Sequence, residues 1–175
     1  MRKVIPFLLF IIGAWMISSF NEPAKEKINW INMRQLNELY YDNPKPILVD
    51  VYTDWCGWCK EMDRTTYANG KLAAYINKYY YAVKLNAESP DSMLFNKKSY
   101  GYDSRNKSNE LAAFLLFRRM EFPTTVFFSA IDAQPAPLAG YMKAREMEAP
   151  LKYFAEGANQ TKTFVEFNKG MKKQW

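Results

Sequence analysis

The sequence predicts an α/β layer fold, a central β-sheet covered by helices on both faces. Three observations carry that expectation. Helix-like and strand-like patterns follow one another in the order helix, strand, helix, helix, strand, insertion, strand, strand, helix. The run PILVDVYT (46–53) is short, β-branched and opened by proline, as a buried strand should be. The 175 residues, 49% hydrophobic and 24% charged, suit one globular domain with a real core.

The first twenty residues stand apart from that domain. Arg2 and Lys3 give a basic start, Val4 to Ile17 an apolar stretch, and Ser18 and Ser19 a small-residue end. This is the three-part pattern of a secretory signal peptide, cleaved near residue 20. The alternative is a retained anchor, for which the apolar stretch falls short of the ~20 residues a span requires. No cysteine follows the stretch to take a lipid. The expected domain is therefore 21–175, in an exported and periplasmic setting.

After a polar leader (21–27), Ile31, Met33, Leu36, Leu39 and Tyr40 recur at helical spacing until Asn43 and Pro44 end the run. The strand 46–53 leads into the cysteine segment, where Trp58, Met62 and Tyr67 again fall at helical steps. KLAAYINKYY (71–80) reads as a further helix and YYAVKLNAE (80–88) as a second strand. Residues 88–121 are an expected insertion. Within it, alternating aromatic and polar residues around Lys97–Lys98 suggest a small exposed hairpin. SNELAAFLLFRRM (108–120) suggests a helix capped by Ser108 or Asn109, with Arg118 and Arg119 in its last turn. FPTTVFFSA (122–130) is a strand opened by Pro123, and APLAGYM (136–142) its hairpin partner. KAREMEAPLKYFAEG (143–157) is a helix in which Pro150 marks a kink or sits in the first turn. Residues 161–175 form a terminal amphipathic piece.

Composition narrows the function. The net charge of +6 falls to +4 without residues 1–20, and the basic residues are scattered. A nucleic-acid footprint would need a clustered stripe with a matching motif. The chain has no histidine, so a Ser-His-Asp triad, a Cys-His pair and c-type haem attachment are all excluded. An ordinary tetrahedral zinc site needs four Cys or His ligands, and one chain offers two. No metal and no separate cofactor are expected.

Both cysteines lie in VDVYTDWCGWCKEMD (49–63), two residues apart. A redox pair, half of a metal site shared between chains and a structural staple are all open. The staple is weak, because a bridge across four residues closes almost no loop and removes little unfolded-state entropy. Cys56 should stand at the start of the helix after the strand, with Cys59 one turn on. Unpaired N–H groups there favour thiolate, the attacking form in disulfide exchange. Cys56 is thus the expected exposed nucleophile, and Cys59 the deeper resolving thiol. Gly57 would keep the turn open, and Trp58 would put an aromatic surface beside the nucleophile. Asp50, mid-strand among apolar residues, is out of place for a carboxylate. Burial would raise its pKa and suit it to accept a proton from Cys59, or it is simply an edge-exposed or hydrogen-bonded acid.

ILVDVYTDWCGWCK (47–60) resembles the active-site strand and helix of the thioredoxin superfamily, with its acid, its tryptophan before the first cysteine and its lysine after the second. FPTTVFF (122–128) resembles the family's cis-proline loop and following strand, and LAGYMKAREMEAPLKYF (138–154) its closing hairpin and last helix. The likeness covers roughly residues 28–157 apart from the insertion, and is nearest to exported bacterial thioredoxin-like proteins with a WCGWCK site. It implies a thioredoxin-like fold with a mixed sheet and an insertion before the cis-proline strand. It also implies that Pro123 is cis and shapes a substrate groove, and that the backbone of Phe122 pairs with an extended substrate. Trp55 becomes a candidate substrate-facing aromatic. Trp58 stands where cytosolic thioredoxins have proline and strongly oxidising members have histidine, which argues for a reducing or intermediate potential.

The expected activity is exported thiol–disulfide exchange on cysteine-containing client proteins, through Cys56 and Cys59 alone. An exported reductase needs electrons, so a membrane thiol-transporting partner is implied. Two rivals remain: a thioredoxin-fold binding module with an inert disulfide, and a maturation factor dedicated to one client.

Overall fold

The computed structural model describes residues 26–175. The expected signal peptide, and with it the question of a retained anchor, lies outside the described residues. Among them, no helix is long and apolar enough to cross a membrane.

The β-branched run anticipated at 46–53 forms β2 (Ile47–Tyr52), the central strand of the sheet. Four further strands complete it: β1 (Trp30–Ile31), β3 (Tyr81–Asn86), β8 (Thr124–Phe128) and β9 (Ala136–Ala139). The order is β1-β3-β2-β8-β9. β1 and β2 run parallel to β3, β8 runs antiparallel to β2, and β9 antiparallel to β8, so the sheet is mixed. Parallel neighbours need crossovers, and helices supply them.

Helices cover both faces. On one side α1 (Met33–Tyr40) and α4 (Glu110–Leu115) bury Met33, Leu36, Leu111 and Leu115 against Val49 and Val51 of β2 and Val126 and Phe128 of β8. On the other, α2 (Gly57–Thr65), α3 (Gly70–Tyr79) and α5 (Ala144–Ala155) bury Met62, Leu72, Ile76, Met147 and Leu151 against Leu48 and Phe127. Alternate residues of β2 thus feed two cores, which is why the whole run is apolar apart from Asp50 and Tyr52.

Two local expectations change, the leader gains an anchor, and Pro150 is placed. Ile31 belongs to β1, and α1 starts at Met33 because Asn32 caps it: the Asn32 side chain accepts from Gln35 N–H while Gln35 Oε1 accepts from Asn32 N–H. The leader is anchored at its end, where Asn77 Nδ2 donates to Glu26 Oε1 and to the Lys27 carbonyl. Arg118 and Arg119 lie beyond α4, which stops at Leu115. Pro150 is the seventh residue of α5, fully past the first turn.

Residues 93–109 form two small ladders. β4 (Met93–Phe95) pairs with β5 (Lys98–Tyr100) around Asn96 and Lys97, both at positive φ as a tight hairpin turn demands. β6 (Tyr102–Asp103) pairs with β7 (Ser108–Asn109). The hairpin expected at Lys97–Lys98 is present but only partly exposed, since Phe95 and Tyr100 enter the core. A last helix, α6 (Phe164–Gly170), buries none of its residues.

Candidate active site

Strand β2 ends at Tyr52, and a short turn delivers Cys56 to the N-cap of α2. Cys56 and Cys59 are joined in a disulfide, with Cα atoms 5.3 Å apart. The Cys56 Sγ accepts the Cys59 N–H at 3.0 Å, so the sulfur occupies the place of a capping side-chain oxygen. In the reduced state that N–H and the helix dipole would stabilise a thiolate at Cys56. Exposure does not separate the two cysteines as expected: Cys56 is 5% exposed and Cys59 4%. Position on the helix separates them instead.

Two aromatic pairs flank the disulfide loop. Trp55 and Trp58 are each about two-thirds exposed. Trp55 meets Phe122 edge-on at 5.9 Å, and its indole N–H donates to both carboxylate oxygens of Glu88. Trp58 lies 5.5 Å from Tyr141, whose hydroxyl in turn meets Thr65 Oγ1 at 3.0 Å. Gly57 does not hold the turn open by necessity, because a β-carbon there would meet nothing within 4 Å and its φ is not positive.

The Phe122–Pro123 peptide bond is cis, and Pro123 is buried just before β8. The Trp55–Phe122 contact brings this loop beside the cysteine loop. Pro123 O already accepts from Gly140 N–H, whereas the Phe122 N–H and C=O have no hydrogen-bond partner among the described residues. They are the groups an added extended segment would use.

Asp50 is 2% exposed, on the face shared with Leu48. The sheet register sets its surroundings: Lys84 of β3 and Thr125 of β8 are its cross-strand partners. Lys84 Nζ donates to Asp50 Oδ2 at 2.6 Å and also to Asp63 Oδ1 on α2, while Tyr67 OH donates to Asp50 Oδ1 at 3.3 Å and meets Thr125 Oγ1 at 3.0 Å. Burial pushes the Asp50 carboxyl above the usual range, and the Lys84 ammonium only partly offsets it. Burial works against the charge on Lys84, but the Asp50 and Asp63 carboxylates outweigh it and leave its pKa raised. The Asp50 carboxyl held high and the Lys84 ammonium held charged form a hydrogen-bonded acid–base pair, with Asp50 on the strand that leads into the cysteine turn.

Sequence reasoning missed Lys84, Tyr67 and Glu88. The signal for Lys84 was a lysine inside an otherwise apolar strand, at the parity that faces Asp50. No three acidic or cysteine side chains cluster as a metal site among the described residues.

The model of a family described as a thioredoxin-like domain matches residues 35–155. The chain belongs to the thioredoxin-like family. It is similar to the thiol:disulfide interchange protein DsbD of Pectobacterium atrosepticum, 23% identical over 126 residues covering 71% of this chain and 19% of that protein. The DsbD of Vibrio vulnificus is 25% identical over 144 residues, covering 76% of this chain and 21% of its own length. The chain thus spans about a fifth of the length of these curated relatives. Among solved structures, a thioredoxin-fold protein from Helicobacter pylori superposes with a TM-score of 0.56 at 21% identity, over 73% of this chain and 80% of that one. DsbH oxidoreductase gives a TM-score of 0.55 at 16% identity, over 77% and 90%. Those two likenesses speak to the fold, which is the thioredoxin-like one expected.

Proposed function

We propose that this protein is an exported thiol–disulfide oxidoreductase, of reducing or intermediate potential, that exchanges disulfides with client proteins through Cys56 and Cys59. The single observation that carries the reading is the Cys56–Cys59 disulfide at the N-cap of α2, with Cys56 Sγ receiving a backbone N–H. In the reduced protein the Cys56 thiolate attacks a client disulfide; one client sulfur leaves as thiolate and a mixed disulfide forms. Cys59 gives its proton to Asp50 and attacks Cys56 Sγ. The second client sulfur leaves, two electrons have passed to the client, and the protein is left with the disulfide seen here. Trp55, Gly57, Trp58 and Phe122 form the client-facing surface, and buried cis Pro123 fixes the backbone that carries Phe122. Export is supported by the basic start and apolar stretch of residues 1–20. It requires a membrane thiol-transporting partner to restore the dithiol.

Replacing Cys59 by Ala removes the resolving thiol, so clients should remain linked to Cys56 as complexes that reductant dissolves. Rapid acid alkylation and non-reducing gels of the exported fraction read this out, with a Cys56→Ala, Cys59→Ala double variant as the blank. Capture of nothing, together with a wild-type disulfide that resists strong dithiol, would replace catalysis with the binding-module reading.

A further inference from the structure

The proposed exchange asks two things of Asp50. It must be ionised when Cys59 attacks, and it must then hold the proton that Cys59 gives up. Asp50 is buried, and burial disfavours the ionised form. Each carboxylate oxygen therefore needs a donor. Lys84 Nζ supplies one at Oδ2. The donor at Oδ1 is a tyrosine, Tyr67.

Tyr67 lies just past α2, tied by its N–H to the Met62 carbonyl and met edge-on by the ring of Trp30 at 5.0 Å. Its ring is buried in the core that holds Leu48, Met62, Leu72 and Ile76. Phenylalanine would fill that space and leave no hydroxyl to satisfy. The tyrosine hydroxyl instead stands 3.3 Å from Asp50 Oδ1 and 3.0 Å from Thr125 Oγ1. Thr125 is fully buried and is the cross-strand partner of Asp50, so β8 delivers it to the same spot.

Counting protons fixes the direction of these bonds. An ionised carboxylate has none to give, so the single hydroxyl proton of Tyr67 goes to Asp50 Oδ1. Tyr67 Oη must then accept at its other contact, and Thr125 Oγ1 donates to it. The result is an ordered chain, Thr125 to Tyr67 to Asp50, in which the first bond polarises the second. Lys84 Nζ lies 5.5 Å from the centre of the Tyr67 ring and sets a positive charge beside the phenol. Asp50 is surrounded by Lys84 of β3, Asp63 of α2, Tyr52 of β2, Thr125 of β8 and Tyr67. Burial raises its carboxyl; Lys84 and the Tyr67 hydroxyl pull it down, and Asp63 pushes it up. Tyr67 itself stays protonated, because burial pushes its hydroxyl well above the ordinary 10. It is thus a neutral donor wherever Asp50 titrates.

We propose that Tyr67, backed by Thr125, is a positioning residue that keeps the Asp50 carboxylate charged and turned to take the proton of Cys59. The proposal rests on the oxidoreductase reading above for the proton it handles. Cys59 S–H passes its proton to Asp50, and the thiolate so formed attacks Cys56 Sγ, so no further reactant enters the step. The first measurement needs no turnover: the oxidised protein is labelled with carbon-13 at its aspartate carboxyls and titrated by NMR, the Asp50 signal being the one lost in Asp50→Asn. Tyr67→Phe deletes one donor to a charged acceptor, and should raise the Asp50 midpoint by about one pH unit, a tenfold change in its ionisation constant. Thr125→Val spares the Tyr67 hydroxyl but removes the group that donates to it, and should change that constant by less, about threefold. Thr125→Ser should restore the wild-type midpoint. The second measurement follows release of the mixed disulfide in stopped-flow, with reduced protein and hydroxyethyl disulfide, a small neutral substrate. Tyr67→Phe should slow release about tenfold on the acid limb of the pH profile and stay within about twofold on the alkaline plateau, where Asp50 is ionised in both proteins. A packing defect would slow it equally at every pH, and that result would overturn the proposal. So would an Asp50 midpoint unmoved in Tyr67→Phe, or, should that variant not fold, one unmoved in Thr125→Val. If the wild-type protein forms no mixed disulfide, the oxidoreductase reading fails by itself, and the carboxyl titration alone decides whether Tyr67 holds Asp50 charged.

Discussion

Asp50 shows how one buried side chain links stability to chemistry. Its folded pKa is raised, chiefly by burial, above the ordinary 3.8. A raised carboxyl opposes folding when ionised: the penalty is absent below the unfolded value and fully present above the folded one. Asp50→Asn should therefore stabilise the oxidised protein at pH 8, with the gain vanishing toward pH 3, as urea titrations at both pH values would show. The same variant should leave the first attack by Cys56 within about twofold, yet slow release of the mixed disulfide at neutral pH by on the order of a hundredfold, the usual share of a positioned base. Unchanged release in stopped-flow would remove Asp50 from the mechanism. Lys84 tests the pairing. Lys84→Met leaves Asp50 with no ammonium and should cost about 3 kcal/mol at pH 8, the usual penalty for stranding a buried charge. Adding Asp50→Asn should recover most of that loss, and a double variant no better than Lys84→Met would show that the two do not act as a pair. Asp50 was legible in the sequence because an acid interrupts an apolar run. Lys84 was not, because a strand lysine usually extends its charge into solvent, and only the β2–β3 register turns this one onto Asp50.

At the scale of elements, strong periodicity was readable and short-range hydrogen bonding was not. The β2 run and the alternation of helices and strands gave the layer order directly. β1 has two residues and carries no pattern, so Ile31 read as helix. The end of α4 escaped because Phe117 occupies a glycine's position, and helix-forming composition continued past the stop. Asn109 decides how residues 88–108 are held. Its side chain accepts from Leu111 N–H at the start of α4 and donates to the Ser89 and Asp91 carbonyls, while its own N–H donates to the Ala87 carbonyl. It is fully buried. Asn109→Ala would lose a cap and the two bonds that tie the half-buried Ser89 and exposed Asp91 carbonyls to α4, a cost of about 1–2 kcal/mol. Because β2, α2 and cis Pro123 lie outside this cluster, limited proteolysis should cut first between residues 88 and 108 while hydroxyethyl disulfide reduction survives. Loss of that activity in step with cleavage would show the segment to be part of the redox site itself.

Across the whole molecule, one buried carboxylate holds the last residues to the domain, and this sets a pH limit on the intact structure. Glu148 of α5 is fully buried. It accepts from Lys152 Nζ at 2.8 Å, from Gln174 N–H at 2.8 Å to each oxygen, and from Trp175 N–H at 3.1 Å. Lys152 also donates to Gln174 Oε1, and the Trp175 ring meets Tyr75 of α3 at 5.3 Å. α6 buries nothing and leans on Tyr153 through Phe164 and Phe167. Burial alone would raise the Glu148 pKa, but Lys152 and the Gln174 and Trp175 N–H groups outweigh it and lower it from 4.5. A lowered carboxyl contributes stability that is present above the unfolded value and lost as pH falls through the folded one. This is opposite in sign to Asp50, so acid should relieve the redox core while releasing residues 171–175. Hydrogen exchange of the Gln174 and Trp175 amides should therefore be protected at pH 6 and unprotected well below pH 4, with the β2 amides still protected. Glu148→Gln keeps the shape but not the charge. It should cost about 2 kcal/mol at pH 7, as expected for charge-assisted hydrogen bonds made neutral, and flatten the pH dependence of those two amides. Protection of both amides at pH 3 in the wild type, or a Glu148→Gln profile that still bends between pH 3 and 5, would place the latch elsewhere.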